Sequence, residues 1–260
     1  MKTTRTTTRR SFFLLALMLM QLTTIVPTAY AGFDFAPIIA NLAPSGERAS
    51  TSFTVTNQDP TKLAVQVSIV PREPDLDGKE VYKESDAIDE MFRIFPAHLI
   101  VDSKGNRAVR VTYIGSPQLK SELAFRIIAE ELPVDLDDPK RVYTKAVAKI
   151  TLSTRYIGSL YVTPSGSKPA IVIDAKKSES AANHLVLNIT NNGTAHQIYR
   201  KPIVKVKALA SGKEIQLDEA DTRPLMSQNI LAGRSRRYNL PWPKGLEAGL
   251  LKVTLDTGKE

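Results

Sequence analysis

The sequence predicts an all-β protein built from two β-sandwich domains. Apolar and polar residues alternate with a period of two along most of the chain, which is typical of strands with one buried face. Turn-forming clusters interrupt the alternation roughly every ten residues, as in antiparallel sandwiches. The 260 residues allow two domains of roughly 100–130 residues, and the hydrophobic fraction of 42% is enough for packed cores.

The first 31 residues have the pattern of an export signal. Four basic residues, ending at Arg10, precede an apolar run over 12–20, and Ala29-Tyr30-Ala31 places small residues at the two cleavage-determining positions. We therefore expect a signal peptide, 1–31, that is removed after Ala31. The Arg9-Arg10 pair also resembles a twin-arginine signal, so the Sec and twin-arginine routes both stay open. An uncleaved anchor helix is the alternative, but the apolar run is shorter than the roughly 20 residues of a membrane span.

Composition excludes several classes of protein. Removing 1–31 takes away four basic and no acidic residues, so the net charge falls from +8 to +4. Such a modest charge, without a concentrated basic run, does not indicate nucleic-acid binding. The absence of Cys excludes disulfides, thiolate metal sites and a lipoprotein anchor. No later apolar stretch reaches about 18 residues, so we expect no stable membrane insertion.

The mature chain divides at a small polar segment between two prolines, which predicts an interdomain hinge at 164–168. The first domain is predicted to span 33–163 and the second 169–260. Residues 84–92 have the pattern of a short helix. The strand segments of the first domain are 52–56, 63–69, 108–113, 123–128 and 146–162, and those of the second are 170–173, 184–189, 203–208 and 250–255.

No motif for enzyme chemistry is present: there is no Ser nucleophile elbow, no phosphate-binding P-loop and no zinc-protease helix. The acidic loop at 135–138 lacks the Gly and Glu of a calcium loop. The three histidines are never closer than twelve residues, and we interpret them as surface or edge residues. Trp242 is interpreted as a core residue rather than a sugar-stacking one. We therefore expect no enzyme, cofactor, nucleotide or metal.

Five short motifs of the first domain carry a family resemblance: Phe95 to Val101, Arg107 to Val111, Glu122 to Arg126, Glu130 to Pro133 and Tyr161 to Pro164. Together they resemble the periplasmic PapD-like chaperones of chaperone–usher pilus assembly. The resemblance covers about 130 residues of the first domain and is weaker in the second. Gly158 to Val162 is most similar to the archaic or alternative branch.

The resemblance implies two immunoglobulin-like β-sandwich domains in a boomerang arrangement with a cleft between them. It also implies a non-enzymatic periplasmic protein that binds pilus subunits by donor-strand complementation and delivers them to an outer-membrane usher. In this mechanism a chaperone strand fills the groove left by the subunit's missing strand. The alternation at Ala148, Ile150 and Leu152 agrees, since the three side chains share one face. The alternative is that they are ordinary core residues of the first domain.

The sequence departs from the family at the carboxylate anchor. Members have an Arg on the first strand and a Lys on the last strand of this domain, and the pair binds the subunit's C-terminal carboxylate. Here Asn41 occupies the first position, and no Lys lies near the second. We predict that Arg155 is the substitute and that Arg126 is the second choice. An exposed Arg155 without this role is the alternative.

The interdomain ion pair of the family also differs. Glu122 matches its acidic member, but Thr163 stands where an Arg precedes the proline. Two other functions would also suit exported β-sandwiches. A pilus subunit or adhesin needs a disordered apolar N-terminal extension, whereas residues 33–39 have a strand pattern. An exported carbohydrate-binding sandwich or enzyme lacks any recognisable cluster of active residues.

The signal peptide gives the first testable prediction. The mature protein begins near Gly32 and is recovered in the periplasmic fraction, because the cleavage positions precede this residue. N-terminal sequencing of the exported protein measures this directly. Retention of Met1 would contradict export by cleavage.

Overall fold

The computed structural model describes residues 32–83, 85–134, 136, 153–177 and 184–258. Within these residues the chain forms two β-sandwiches, each around its own hydrophobic core. The all-β class and the two-sandwich architecture are therefore confirmed. No helix among the described residues is long and apolar enough to cross a bilayer. The predicted signal peptide lies outside the described residues.

The first sandwich packs a four-stranded sheet on a five-stranded sheet. Its strands are β1 (Phe33–Ala36), β2 (Ile39–Leu42), β3 (Ser50–Asn57), β4 (Leu63–Pro71), β5 (Phe92–Phe95), β6 (His98–Val101), β7 (Asn106–Tyr113), β8 (Leu123–Glu131) and β9 (Arg155–Val162). The sheet orders are β1-β3-β7-β5 and β2-β9-β8-β4-β6. A helix, α1 (Ala87–Met91), lies within the segment predicted to be helical.

The first strand of the chain is divided between the two sheets. β1 pairs with β3 in one sheet, and after Pro37 the chain crosses so that β2 pairs with β9 in the other, in parallel. β2 reaches only the second half of β9, from Ser159 to Val162. Gly158 permits this approach, because a Cβ there would lie 2.8 Å from the Ile38 carbonyl oxygen. Among the described residues, the first half of β9 therefore has β8 as its only strand partner.

The two faces of the five-stranded sheet have different roles. Alternate residues of β4, β8 and β9 enter the core, among them Ile69, Ile127 and Leu160. The residues between them point to the outer face, and part of this face is also covered. Val70 and Ile128 are each only 2% exposed there. Polar side chains beside these two residues thus lie in apolar surroundings.

The second sandwich consists of three small sheets with the orders β10-β11-β16, β12-β15 and β14-β13-β17. The strands are β10 (Ile171–Lys177), β11 (His184–Asn191), β12 (Gln197–Ile198), β13 (Ile203–Ala208), β14 (Glu214–Gln216), β15 (Asn229–Ile230), β16 (Ser235–Pro241) and β17 (Leu251–Asp256), with a short helix α2 (Glu219–Thr222). Trp242 packs against this core, as expected, and its indole N–H donates to the Leu246 carbonyl at 3.1 Å.

A buried asparagine ends one strand in each sandwich. Asn57 ends β3 and donates to the carbonyls of Thr61, Val101 and Asp102. Asn191 ends β11 and donates to the carbonyls of Ala195 and Ile230. In each case the side-chain oxygen accepts the N–H two residues later, so both asparagines close an Asx turn. The two sandwiches therefore share a local device that satisfies backbone carbonyls where a strand ends.

The boundaries 33–163, 164–168 and 169–260 stay predictions, and limited proteolysis tests them. Ser165 and Gly166 are exposed, and Gly166 has a positive φ of 80°. Segments without ladder hydrogen bonds open easily. A protease of broad specificity is expected to cut within 164–168 before it cuts the strands of either sandwich, as mass spectrometry of the first fragments would show. First cuts spread through 40–130 would contradict the boundary.

Candidate functional site: a cleft between the two sandwiches

A polar cleft of about 590 Å³ lies where the two sandwiches meet. Its wall on the first sandwich comes from the outer face of the five-stranded sheet, and its other wall comes from β12, β15 and the segments beside them. The lining residues are Ile39, Arg72, Arg126, Ser159 and Tyr161 on one side and Ile198, Arg200, Ser227, Gln228 and Asn229 on the other.

Two arginines that line this cleft converge on one carboxylate, that of Glu80. Arg126 binds Glu80 with two nitrogens, Nε to Oε2 at 2.6 Å and Nη2 to Oε1 at 2.9 Å. Arg72 Nε donates to Oε1 of the same carboxylate at 2.8 Å. The side chains of Arg72 and Glu80 are each 8% exposed and that of Arg126 is 17% exposed. These are charge-assisted bonds in a mostly dry setting, where they are stronger than in water.

Strand register brings the two arginines together. Arg126 on β8 is opposite Val70 of β4 on one side and opposite Ser159 of β9 on the other. Arg72 follows the end of β4, and its backbone N–H donates to the Ala124 carbonyl at 3.1 Å. The Nη1 of Arg126 also donates to the Ser159 hydroxyl at 2.7 Å. The arginines therefore lie near each other on a rigid sheet, and their like charges need a shared anion.

The cluster continues into the second sandwich through Arg72. Its Nη1 donates to the Tyr161 hydroxyl at 2.8 Å, and its Nη2 donates to Asn229 Oδ1 at 3.0 Å. Asn229 Nδ2 donates to the same hydroxyl at 2.8 Å. Arg72, Tyr161 and Asn229 thus form a closed hydrogen-bonded triangle between the two sandwiches.

Glu80 reaches these arginines on a segment that we call the strap, residues 75–82, between β4 and α1. The strap contacts β16 of the second sandwich at its middle. The Leu76 carbonyl accepts the Arg237 N–H at 2.7 Å, and Asp77 accepts two guanidinium bonds from Arg237 at 3.1 Å each. Gly78 lies against Arg236 with a φ of 82°, and a Cβ there would be 1.9 Å from Arg236 Nη2.

The end of the strap lies along the outer face of the first sandwich. Glu80 contacts Arg126, and the guanidinium of Arg155 lies 5.8 Å from the ring centroid of Tyr82. Val81 between them is 60% exposed. Arg126 and Arg155, which the sequence analysis predicts to be the carboxylate anchors, are therefore both in contact with the strap.

A second polar contact joins the sandwiches at Glu122. Its Oε1 lies 2.7 Å from His196 Nδ1 and accepts the His196 backbone N–H at 3.1 Å. Its Oε2 accepts the Thr163 hydroxyl at 2.8 Å. The His196 ring stacks on Tyr161, with centroids 4.0 Å apart. The interpretation of all histidines as surface or edge residues is wrong for His196, because its side chain is 16% exposed and pairs across the interface.

The charge state of Glu80 follows from its surroundings. Burial alone would raise the pKa of this carboxyl. The hydrogen bonds and charges of Arg126 and Arg72 outweigh burial and keep the pKa below its ordinary value of 4.5. Glu80 is therefore ionised at neutral pH, and the cluster carries one net positive charge.

A comparison with known proteins identifies the family of this chain. Residues 41–168 match the family model described as "Pili and flagellar-assembly chaperone, PapD N-terminal domain". The chain belongs to the PapD-like family of pilus assembly chaperones. The family resemblance inferred from the sequence motifs is therefore confirmed. Chaperones of this family are not enzymes, and neither is this protein.

Solved structures agree on the fold. The chaperone CsuC, in complex with the tip adhesion subunit CsuE of the archaic Csu pili of Acinetobacter baumannii, has a TM-score of 0.53 at 15% identity, covering 88% of this chain and 94% of that chain. The class 5 fimbriae chaperone CfaA gives 0.53 at 15% identity, with 86% and 98% covered. A chaperone–tip adhesin complex of CFA/I fimbriae gives 0.54 at 15% identity, also with 86% and 98% covered. No curated protein sequence is significantly similar to this chaperone.

The predicted site residues of the chaperone fall into three groups. Ala148, Ile150 and Leu152 lie outside the described residues. Arg126 lines the cleft, whereas Arg155 is not among the residues that line it, and its Nε is 3.5 Å from Glu130 Oε2. The role of both arginines as anchors stays a prediction. Sequence reasoning missed Arg72 and Glu80, although Arg72, directly after the strand that ends at Pro71, was a signal that a cation lies at the end of this strand.

The Glu80 cluster predicts a pH-dependent contribution to stability. Glu80→Gln leaves two poorly exposed arginines without their anion, which costs on the order of 3 kcal/mol of unfolding free energy at pH 7. Because the folded pKa is lowered, the contribution is fully present above the ordinary pKa of 4.5 and is lost as the pH falls through the folded pKa. Denaturant melts of wild type and variant from pH 7 to pH 3 measure the difference. It should shrink by up to about 1.4 kcal/mol per pH unit below pH 4.5, and a difference independent of pH would contradict the ionised cluster.

Proposed function

We propose that this protein is a periplasmic chaperone that binds pilus subunits by donating a strand to them and delivers them to an outer-membrane usher. Its role as a pilus assembly chaperone follows from its family. The donated strand, the usher and the periplasmic location are the proposal. Pilus subunits are proposed as partners in part because similar structures are complexes of a chaperone with a tip subunit.

The observation that carries the proposal is the open first half of β9. β2 pairs with Ser159 to Val162, and no described strand covers the edge at Arg155–Ile157. An open strand edge presents N–H and carbonyl groups to which another chain can pair. The sequence immediately before this edge contains the apolar alternation at Ala148, Ile150 and Leu152.

The alternation of side chains along β9 indicates which face of the donated strand would enter the subunit. Leu160 and Val162 of β9 face the core of the first sandwich. If the pleat continues toward the N-terminus, Ile150 and Leu152 share their face, since strand side chains alternate. The face that fills the chaperone's own core at one end would then fill the subunit's core at the other. Burial of the two side chains would contribute about 1.5–3 kcal/mol each.

The cleft supports a second element of the proposal. A subunit paired with this strand needs a fixed register, and a terminal carboxylate bound in the cleft would supply one. We propose Arg126, assisted by Arg72, as the anchor, because these two guanidiniums already bind a carboxylate side by side. Arg155 stays the alternative, with its ion pair to Glu130 at the surface.

The experiment compares subunit capture with the stability of the free chaperone. Ile150→Asp with Leu152→Asp places two charges in an apolar groove, and an unpaired buried charge is costly enough to abolish binding. The free chaperone should keep its melting temperature, because that face would be exposed until a subunit arrives. Recovery of a one-to-one complex from periplasm, verified by intact mass, is measured beside the thermal melt.

The matched control is Thr151→Asp with Ser153→Asp, which adds the same number of charges on the opposite face. It should retain the complex. If the double variant at Ile150 and Leu152 unfolds on its own, these residues are core and the donated strand lies elsewhere. If that variant folds and still carries its subunit, strand donation is wrong for this chain.

A further inference from the structure

We propose that Glu80 is an internal occupant of the chaperone's carboxylate site, so that an incoming carboxylate binds Arg72 and Arg126 only by displacing it. This inference rests on the proposed function, because the incoming group would be the C-terminus of a pilus subunit. It goes beyond that function by giving the free chaperone a closed state of the same site.

The first argument is chemical equivalence. Glu80 presents a carboxylate to three guanidinium nitrogens at 2.6–2.9 Å, which is the arrangement that an α-carboxylate would adopt. Three of the five N–H donors of each guanidinium are already in use: Arg72 also binds Tyr161 and Asn229, and Arg126 also binds Ser159. A second carboxylate could therefore not take the paired geometry that Glu80 has. Two carboxylates on the same pair of arginines would also repel each other.

The second argument concerns the way Glu80 is attached. It belongs to a connecting segment rather than to a sheet, whereas both arginines are fixed by strands β4 and β8 or directly follow them. After Lys79, whose N–H donates to Asp75 Oδ1 at 2.8 Å, the strap residues 80–82 have no strand assignment. Connecting segments open at lower free energy than sheets. Exchange of the anion can therefore occur without disruption of the arginines.

The third argument is position. The strap ends beside the open half of β9, where Tyr82 lies against Arg155. Val81 and Tyr82 are exposed apolar residues at this place. Release of Glu80 would free the end of the strap next to the edge at which a subunit is proposed to pair. The strap would stay attached at its middle through Asp77 and Arg237.

The test measures binding of one probe to the full mature chain. The probe is the acetylated tetrapeptide Val-Thr-Val-Thr with a free C-terminal carboxylate, and its C-terminal amide is the matched ligand. The variant is Glu80→Gln, and the matched control is Glu73→Gln, which removes the same charge from an exposed side chain that forms an ion pair with Arg234 at 3.6 Å. Glu80→Gln is expected to bind the carboxylate peptide at least tenfold tighter than wild type and the amide no tighter. Glu73→Gln is expected to match wild type.

Hydrogen–deuterium exchange of the wild-type protein provides a second measurement that does not depend on the folding of a variant. Saturation with the carboxylate peptide is expected to raise exchange in residues 79–83, and the amide peptide is expected to leave it unchanged. Equal affinity of wild type and Glu80→Gln for the carboxylate peptide, or exchange at 79–83 that does not rise on its binding, would overturn the inference. Neither result would affect recovery of the subunit complex, so failure of the strap mechanism is distinguishable from failure of the chaperone function.

Discussion

A single ionised carboxylate allows two guanidiniums to lie together on the outer face of the first sandwich. Arg72 and Arg126 lie beside Val70 and Ile128, which are almost fully buried, so water compensates their charges poorly. Without Glu80 their mutual repulsion and the loss of hydration would both oppose the folded arrangement. The close pairing of Arg72 and Arg126 in the wall of the cleft therefore depends on this one anion.

Tyr161 connects that cluster to the second contact between the sandwiches. Its hydroxyl accepts bonds from Arg72 and Asn229, and its ring stacks on His196, which pairs with Glu122. The residue is 1% exposed although it points away from the core of its own sandwich. Contacts between the sandwiches around the cleft are thus largely polar and directional. Such contacts require specific geometry, because a displaced partner leaves a buried polar group without a hydrogen bond.

Local sequence patterns missed β16 among the long strands. They predicted the others, because alternation and turn residues act over five to ten positions. They also identified Glu122, which a family motif marks. They could not identify its partner His196, which is 74 residues away. The same limit explains why Arg72, Glu80 and Arg126 were not recognised as a cluster. Their meeting depends on the register of β4 against β8 and on the path of the strap, and neither is encoded in a short pattern.

Arg155 and Arg126 show how register decides between similar candidates. Both point to the outer face of the same sheet, and their spacing along the sequence gives no preference. Register places Arg155 opposite Glu130, whose carboxylate lies nearby at the exposed end, and places Arg126 opposite the neutral Ser159 in the cleft. Arg126 has no acidic neighbour on either adjacent strand, so its anion comes from outside the sheet. That anion is Glu80 of the strap.

An occupied anchor has a consequence for reversible binding. A ligand that must displace Glu80 binds with its intrinsic affinity reduced by the free energy that closes the site. A carboxylate alone would then compete poorly, whereas a subunit that also pairs along β9, as proposed, would gain the additional contacts at the same time. Selection would therefore require strand pairing and terminus together, since neither an open apolar groove nor a C-terminal carboxylate is specific to pilus subunits when taken separately. The same closed state would favour release, because Glu80 is attached to the chaperone and returns to the arginines as soon as the subunit's terminus leaves.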